Sequence, residues 1–315
     1  MWQDKQYASL REEVEALLEP LAESSLHRLI VESLALERDT TTETDGSQMW
    51  LLLPLIVCEA ISGYYQRAIP AAASLQLLKT TAEIFDDVED ADSPMSLSSR
   101  YGNAVAVNVA TALLILSEKA IARLKTVGVE DYIVIRVMDA VGSYYTVACA
   151  GQQLDLSTGL GKGISEDDYM SITGMKSAAT TECSCFVGAL LATENQTVID
   201  KFAEFGRNLG MSSQIANDIQ GITRGNDITR RKITLPVVFA LTQTDGETRN
   251  RFESVFLDVA EPVSDVTQIR DMLFSTGAIQ YALVRMEYYN QAAFGCLGEL
   301  EKLGVNIGRL RPFIN

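Results

Sequence analysis

Three aspartates in the first third of the chain have a spacing that could do chemistry. Asp86 and Asp87 are adjacent, and Asp90 follows Asp86 by four residues. Residues four apart on a helix share a face, about 6 Å apart along the axis, so the carboxylates would repel one another. Carboxylate and phosphate oxygens are the usual ligands of Mg²⁺, so the patch predicts a magnesium and phosphate site. The alternative is a solvated acidic helix end.

Further polar side chains stand in otherwise apolar stretches. In chain order they are Gln152 with Asp155, Lys176, Gln214 with Asn217 and Asp218, and Lys232. Each is weak evidence alone, because a helical lysine is more often a solvated charge and an isolated acid pattern more often marks the end of a helix.

Helices must position these residues, because apolar residues recur three and four apart along nearly the whole chain. The pattern predicts helices over 5–36 with a break at Pro20, 48–62, 70–90, 103–125, 130–155, 165–193 and 197–219, with shorter helices in the remainder. Several are apolar on more than one face, which predicts burial among other helices. No linker divides the chain, so we predict an all-α fold, a large bundle forming a single domain over residues 1–315.

Composition excludes several classes of protein. The 315 residues carry 42 acidic and 26 basic side chains, a net charge of −16, which argues against a nucleic-acid partner. One histidine and five scattered cysteines make a zinc site or a disulfide framework improbable. No apolar stretch reaches the roughly 20 residues that span a bilayer. We therefore predict a cytoplasmic protein with no transmembrane segment.

Taken in order, the polar segments resemble the trans-isoprenyl diphosphate synthase (polyprenyl synthetase) family of the class I isoprenoid synthase fold. The resemblance covers about residues 46–241 and is specific for the superfamily rather than for one reaction. The first aspartate-rich motif matches Asp86, Asp87 and Asp90, GQxxDL matches Gln152 and Asp155, the lysine motif matches Lys176, and DxxxxKxTLP matches Asp227 and Lys232. Residues 214–221 align with the segment that reads FQxxDDxxD in the family, but Asn217 and Gly221 stand where two of its aspartates would be.

The resemblance implies the loss of pyrophosphate from an allylic diphosphate, which leaves an allylic cation in a central apolar cavity. It implies Mg²⁺ as cofactor, with metal ligands Asp86, Asp87 and Asp90 on one helix and Asp218 with Asn217 on another. It implies a catalytic role for Asp86, Asp87 and Asp90 and for Lys176 and Lys232. It also implies substrate contacts from Gln152, Asp155, Gln214 and Arg100.

Substrate length is suggested by the residues that precede the first aspartate. In the family, bulky aromatic side chains there stop a short product, whereas this chain has Thr81 and Ala82, with Leu78 one turn further back. We therefore predict a deep pocket for a farnesyl or geranylgeranyl chain. The alternative is that small residues only allow close helix packing.

The chain departs from the family where a second diphosphate should bind. The upstream basic motif is missing, since no Lys or Arg occurs between Arg38 and Arg67. The loop after Asp90 is about four residues short and keeps only Arg100. An anionic second substrate would lack partners, and burying it so is costly. Ordinary elongation with isopentenyl diphosphate is thus disfavoured.

Two fates of the cation stay open. One is transfer to a neutral acceptor such as an indole or a peptide, as in the ComQ-type pheromone-precursor prenyltransferases, which the chain resembles in its shortened loop and in residues 225–228. The other is intramolecular capture, as in a terpene synthase, although Gly221 and Gly225 leave the metal motif of those enzymes incomplete. We slightly favour transfer. A chain-elongating synthase or its noncatalytic subunit is a further alternative. The resemblance also implies a homodimer.

Overall fold

In a computed structural model of the protein, residues 2–36, 47–90, 94–158, 164–257 and 265–314 are described, and none of them lies in a β-strand. The helices of the first half are α1 (Trp2–Leu18), α2 (Ser25–Leu36), α3 (Ser47–Leu51), α4 (Leu53–Ser62), α5 (Ile69–Asp90), α6 (Leu97–Tyr101), α7 (Asn103–Ala122) and α8 (Asp131–Thr158). Those of the second half are α9 (Glu166–Thr173), α10 (Ala179–Leu190), α11 (Gln196–Arg224), α12 (Asn226–Thr229), α13 (Leu235–Gln243), α14 (Gly246–Phe256), α15 (Val266–Ser275) and α16 (Ala278–Lys302).

The all-α prediction is confirmed, and most predicted helices lie within a few residues of the observed ones. The break near Pro20 separates α1 from α2. The predicted start at Ser165 is also correct, because its hydroxyl accepts a hydrogen bond from the Asp168 N–H and the Asp168 carboxylate accepts one from the Ser165 N–H. The prediction of only shorter helices after 219 was wrong, since α16 has 25 residues.

The described chain divides into two compact units. The first comprises residues within Met1–Val141, Ser184–Asp200 and Gly304–Arg309. Its central helix is α5, which packs most extensively against α7. Every residue from Ala71 to Leu78 is buried. The acidic motif therefore ends a core helix rather than a surface helix.

The second unit comprises residues within Gly142–Cys183, Lys201–Leu303 and Leu310–Asn315. Here α13 packs against α9, α14, α15 and α16. Its core includes the fully buried Ile222, Ile228, Val237 and Phe252. Because Ile222 is on α11 and Ile228 is on α12, this core holds the two sides of the turn after the second acidic motif. The single domain and the central apolar cavity stay predictions.

Two helical stretches in the described chain are long and apolar enough to cross a membrane by length and composition. They are residues 103–127 and 131–157. In the most apolar part of each stretch, 44% of the first and 22% of the second is buried inside the protein. Core helices of globular proteins satisfy the same criterion, so this finding is weak evidence for a membrane span.

Candidate functional site

The first acidic motif lies in the last turn of α5, where Asp86 and Asp87 are half-buried. The main chain there is tied to α6, because the Ser98 hydroxyl donates to the Asp87 carbonyl at 3.3 Å. Asp90 ends the helix, and its side chain is outside the described part of the structure. Two carboxylates are therefore positioned by a rigid core helix at its negative end.

The residues that were predicted to set substrate length lie one to two turns before Asp86. Leu78 and Thr81 are buried, whereas Ala82 is exposed. The Thr81 hydroxyl donates to the Leu77 carbonyl at 2.8 Å and lies 3.5 Å from the Ala110 carbonyl of α7. Thr81 thus faces the α5–α7 contact and Ala82 does not. Their role in substrate length stays a prediction.

Arg100 is the basic residue left from the family's downstream anion site. Its guanidinium forms an ion pair with Glu32 of α2 and donates to the Tyr101 hydroxyl at 3.1 Å. The guanidinium carbon also lies 5.0 Å from the centre of the Tyr101 ring. These contacts hold Arg100 within its own unit, so a diphosphate would have to compete with Glu32 for it.

In the second unit, Lys176 lies in a π-helical turn, Gly174–Ala178, between α9 and α10. Such turns interrupt regular helices and often occur at functional sites. The Lys176 ammonium lies 2.8 Å from Asp155 Oδ2 of α8. The sequence predicted both residues, and the structure brings them together as an ion pair.

Gly151 is what allows α8 to approach the π-helical turn. A Cβ atom at position 151 would lie 2.5 Å from the Lys176 amide nitrogen and 2.8 Å from the Met175 Cβ. No side chain fits there without moving the backbone of the turn. The glycine that begins the GQxxDL segment is therefore required by helix packing, and Gln152, which is half-buried, follows it on α8.

Gln214 of α11 connects the lysine turn to the second acidic motif. Its amide oxygen accepts a hydrogen bond from the Ser177 hydroxyl at 3.1 Å, and its amide nitrogen donates to Asp218 Oδ1 at 2.9 Å. The sequence predicted Gln214 as a substrate contact. The structure shows it in addition as a bridge between the π-helical turn and α11.

Asp218 is buried, with 5% of its surface exposed. Its Oδ2 accepts hydrogen bonds from the Tyr169 hydroxyl at 2.5 Å and from the Leu235 N–H at 3.3 Å. Burial raises the pKa of Asp218 to about 6, against the opposing effect of its donors, which include Tyr169 and Gln214. With Gln214 on Oδ1, both oxygens are engaged by protein donors, which favours an anchoring role.

Tyr169 is a site residue that the sequence did not reveal. Burial and the neighbouring Asp218 raise the pKa of Tyr169 well above its usual range, so its hydroxyl stays a donor. It lies 49 positions before its partner. No helical periodicity reports a pairing at that separation.

Asn217, which precedes Asp218 on α11, is exposed, and Lys232 is half-buried in the turn before α13. The Lys232 amide donates to the Asp227 carbonyl at 2.9 Å. Of the two neighbouring positions in the second motif, the outward one therefore carries an amide and the buried one carries the acid.

The donors on α5 suit a hard cation such as Mg²⁺, since they are carboxylate oxygens held by a rigid helix. In the described part of the chain, no group of three or more His, Cys, Asp or Glu side chains could hold a metal. The donors fit an ion that takes its remaining ligands from substrate phosphates and water, which is how Mg²⁺ usually binds.

Known proteins resemble the chain in sequence. Residues 34–273 match the model of the polyprenyl synthetase family. The chain is similar to the geranylgeranyl diphosphate synthase of Mycobacterium tuberculosis, 29% identical over 74% of this chain and 68% of that protein. It is also similar to the tryptophan prenyltransferase ComQ of Bacillus subtilis subsp. natto, 27% identical over 70% of this chain and 67% of that protein.

The fold is that of solved polyprenyl synthases. The geranylgeranyl pyrophosphate synthetase of Pyrococcus horikoshii superposes with a TM-score of 0.79 and 23% identity, covering 94% of this chain and 93% of that one. A polyprenyl synthase of Caulobacter crescentus superposes with a TM-score of 0.81 and 17% identity, covering 94% and 89%.

Proposed function

The chain belongs to the polyprenyl synthetase family, and on that premise we propose that it ionises an allylic prenyl diphosphate and transfers the prenyl group to an acceptor other than isopentenyl diphosphate. The half-buried pair of carboxylates at the end of the core helix α5 is the observation that carries the ionisation. The contacts of Arg100 and the lack of basic residues from 39 to 66 support the choice of acceptor.

Asp86, Asp87 and Asp90 would hold Mg²⁺ together with the diphosphate. When bound, the ion supplies Lewis acidity that stabilises the negative charge of the departing pyrophosphate. The residues themselves contribute fixed positions on a rigid helix, so little reorganisation is needed as charge develops.

Lys176 and Lys232 would add positive charge to a departing pyrophosphate. In the structure, the ammonium of Lys176 is held by Asp155. An arriving diphosphate carries more negative charge than one carboxylate, so it would compete for this lysine. Gln152 and Gln214 would donate neutral hydrogen bonds to the diphosphate. Asp218 would contribute chiefly by holding Gln214, and Asn217 is the exposed position at which α11 could offer an oxygen to a metal.

The prenyl chain would lie along α5, past Ala82 and Leu78. Small side chains before the acidic motif leave room for a farnesyl or geranylgeranyl chain. An apolar surrounding also protects the cation from water.

The acceptor is the finer part of the proposal. Isopentenyl diphosphate needs cationic partners, and Arg100 is already paired with Glu32 while Arg67 is paired with Glu130 at 2.6 Å. A neutral acceptor such as an indole needs none. That the curated relatives include a tryptophan prenyltransferase supports an indole acceptor.

Two other functions have specific support. Several relatives are named geranylgeranyl diphosphate synthases, which favours chain elongation, or a noncatalytic subunit of such an enzyme. An exposed Asn217 matches the asparagine of terpene synthase metal motifs, which favours intramolecular capture.

One experiment separates these outcomes. Purified protein is incubated with Mg²⁺ and geranyl, farnesyl or geranylgeranyl diphosphate, alone, with isopentenyl diphosphate, or with an indole or a tryptophan-containing peptide. Pyrophosphate release and the organic products are measured. Release with a prenylated acceptor supports our proposal, a longer diphosphate supports elongation, and a hydrocarbon or alcohol formed without acceptor supports a terpene synthase.

A homodimer is a further part of the proposal. In the first unit, α7 exposes Val107, Leu114 and Ile115, and the first turns of α8 expose Ile135 and Met138. Large apolar side chains grouped on exposed helix faces are typical of a surface covered by a partner. Ile135→Glu should therefore produce a monomer in light scattering, whereas a protein that is already monomeric as wild type contradicts the dimer.

A further inference from the structure

The second acidic motif lacks its last carboxylate, because Gly221 stands where the family has an aspartate. The chain leaves α11 three residues later and turns at Gly225, whose φ of 83° favours glycine. Gly225 is the single residue between the two helices, so α12 begins immediately afterwards at Asn226. The first turn of α12 is consequently brought back against the end of α11.

The side chain that returns to Gly221 is Asp227. A Cβ atom at position 221 would lie 1.9 Å from Asp227 Oδ2, 2.4 Å from Cγ and 2.8 Å from Oδ1. The Asp227 carboxylate therefore occupies the space in which any side chain at 221 would begin. The Asp227 carboxylate thus lies within 3 Å of the point from which a side chain at 221 would extend.

The position of Asp227 is fixed from both sides. The next residue, Ile228, is fully buried in a core that also contains Ile222 of α11. The Asp227 carbonyl accepts a hydrogen bond from the Lys232 N–H at 2.9 Å. The turn that places the proposed diphosphate-binding lysine thus also places the carboxylate over Gly221.

We propose that Asp227 replaces in space the carboxylate that Gly221 lacks in sequence, and that it acts as a ligand, directly or through water, of a divalent ion bound with the diphosphate. The inference rests on the proposed function, because it needs a diphosphate at this end of α11. It explains why a glycine is found at 221, since an aspartate there would meet Asp227 with both a steric clash and a like charge.

The test uses Mg²⁺ with inorganic pyrophosphate as the probe. Binding is measured by calorimetry, and the shift in melting temperature on adding the probe is the second readout. The variants are Asp227→Asn, which keeps the shape of the side chain, Gly221→Asp, and the double variant Gly221→Asp/Asp227→Ala, which moves the carboxylate to its family position. The matched control is Asp167→Asn, the same charge change at an exposed residue of α9.

Asp227→Asn should weaken binding of the probe roughly 10–100-fold, as for residues that support a metal site. Asp167→Asn should stay within about twofold, because exposed charges contribute little. Gly221→Asp alone should lower the melting temperature, and the double variant should regain both stability and binding.

Wild-type binding of the probe by a folded Asp227→Asn protein would overturn the inference and leave the proposed function standing. A folded double variant that fails to regain binding would also overturn it. If the wild type itself neither binds the probe nor releases pyrophosphate from any prenyl diphosphate, the proposed function fails, and this inference fails with it.

Discussion

The two acidic motifs of this chain differ in the burial and the hydrogen bonding of their carboxylates. On α5, Asp86 and Asp87 are half-buried at the end of a core helix. On α11, Asp218 is buried, and its two oxygens accept hydrogen bonds from Tyr169, Gln214 and the Leu235 N–H.

The difference indicates a division of work. A carboxylate whose oxygens are all engaged by protein donors stabilises the fold and is expensive to redirect toward a ligand. Carboxylates that are held at a helix C-terminus, where the helix dipole disfavours them, gain most from a cation. We therefore propose that the acids of α5 carry the ionisation and that Asp218 chiefly positions its neighbours.

The largest effect should come from removing an acid of α5. Asp86→Asn should lower pyrophosphate release about 10²–10³-fold, the size expected when one group that stabilises transition-state charge is lost. The melting temperature should change little, because the side chain is only half-buried. Turnover is measured with saturating Mg²⁺ and prenyl diphosphate. Near-wild-type turnover in Asp86→Asn would remove the distinction between the motifs.

Asp218→Ala should act in the opposite way, mainly on stability. It leaves the buried Tyr169 hydroxyl and the Leu235 N–H without their acceptor, at a cost of about 3 kcal/mol in the free energy of unfolding. Urea denaturation of this variant and of Asp86→Asn measures the contrast. Equal stability of Asp218→Ala and wild type would argue that the carboxylate does not anchor α9, α11 and α13.

Gly151→Ala tests whether the lysine turn depends on close packing rather than on charge. The added methyl group meets the Lys176 amide nitrogen at 2.5 Å, and overpacking of this kind costs about 2 kcal/mol. Pyrophosphate release should fall as well, since Lys176 moves. Gly142→Ala is the matched control on the same helix, because a Cβ there meets nothing within 4 Å. Equal melting temperatures of the two variants would exclude a packing role for Gly151.

The smallest effect is a dependence of stability on pH. Burial raises the pKa of Asp218 to about 6, above its value in the unfolded chain, so the folded state holds this proton more tightly. The resulting stability is fully present below the ordinary aspartate pKa, is partly lost by pH 5, and disappears as the pH rises through about 6. Relative to Asp218→Asn, the wild type should lose about 1 kcal/mol between pH 5 and pH 7. A flat difference between the two proteins across this range would contradict a raised pKa.

Sequence reasoning found most helices and singled out Lys176 and Asp155, because helical periodicity and short motifs are local, but only the structure shows that the two form an ion pair. It did not find Tyr169, which meets Asp218 across 49 positions, or the return of Asp227 to Gly221, which depends on a turn. It also treated Asp218 as a metal ligand only, since burial and donors are set by α9 and α13. Local patterns therefore identify candidate site residues, and packing determines which contacts each of them makes.

Pyrophosphate release from geranyl, farnesyl and geranylgeranyl diphosphates is the most direct test of the central claim, that the acids of α5 drive ionisation. Wild-type protein should release pyrophosphate from at least one of them, with an acceptor if one is needed, only when Mg²⁺ is present, and Asp86→Asn should not. Release that is equal in wild type and Asp86→Asn, or no release from any substrate with or without an indole, a peptide or isopentenyl diphosphate, would contradict it.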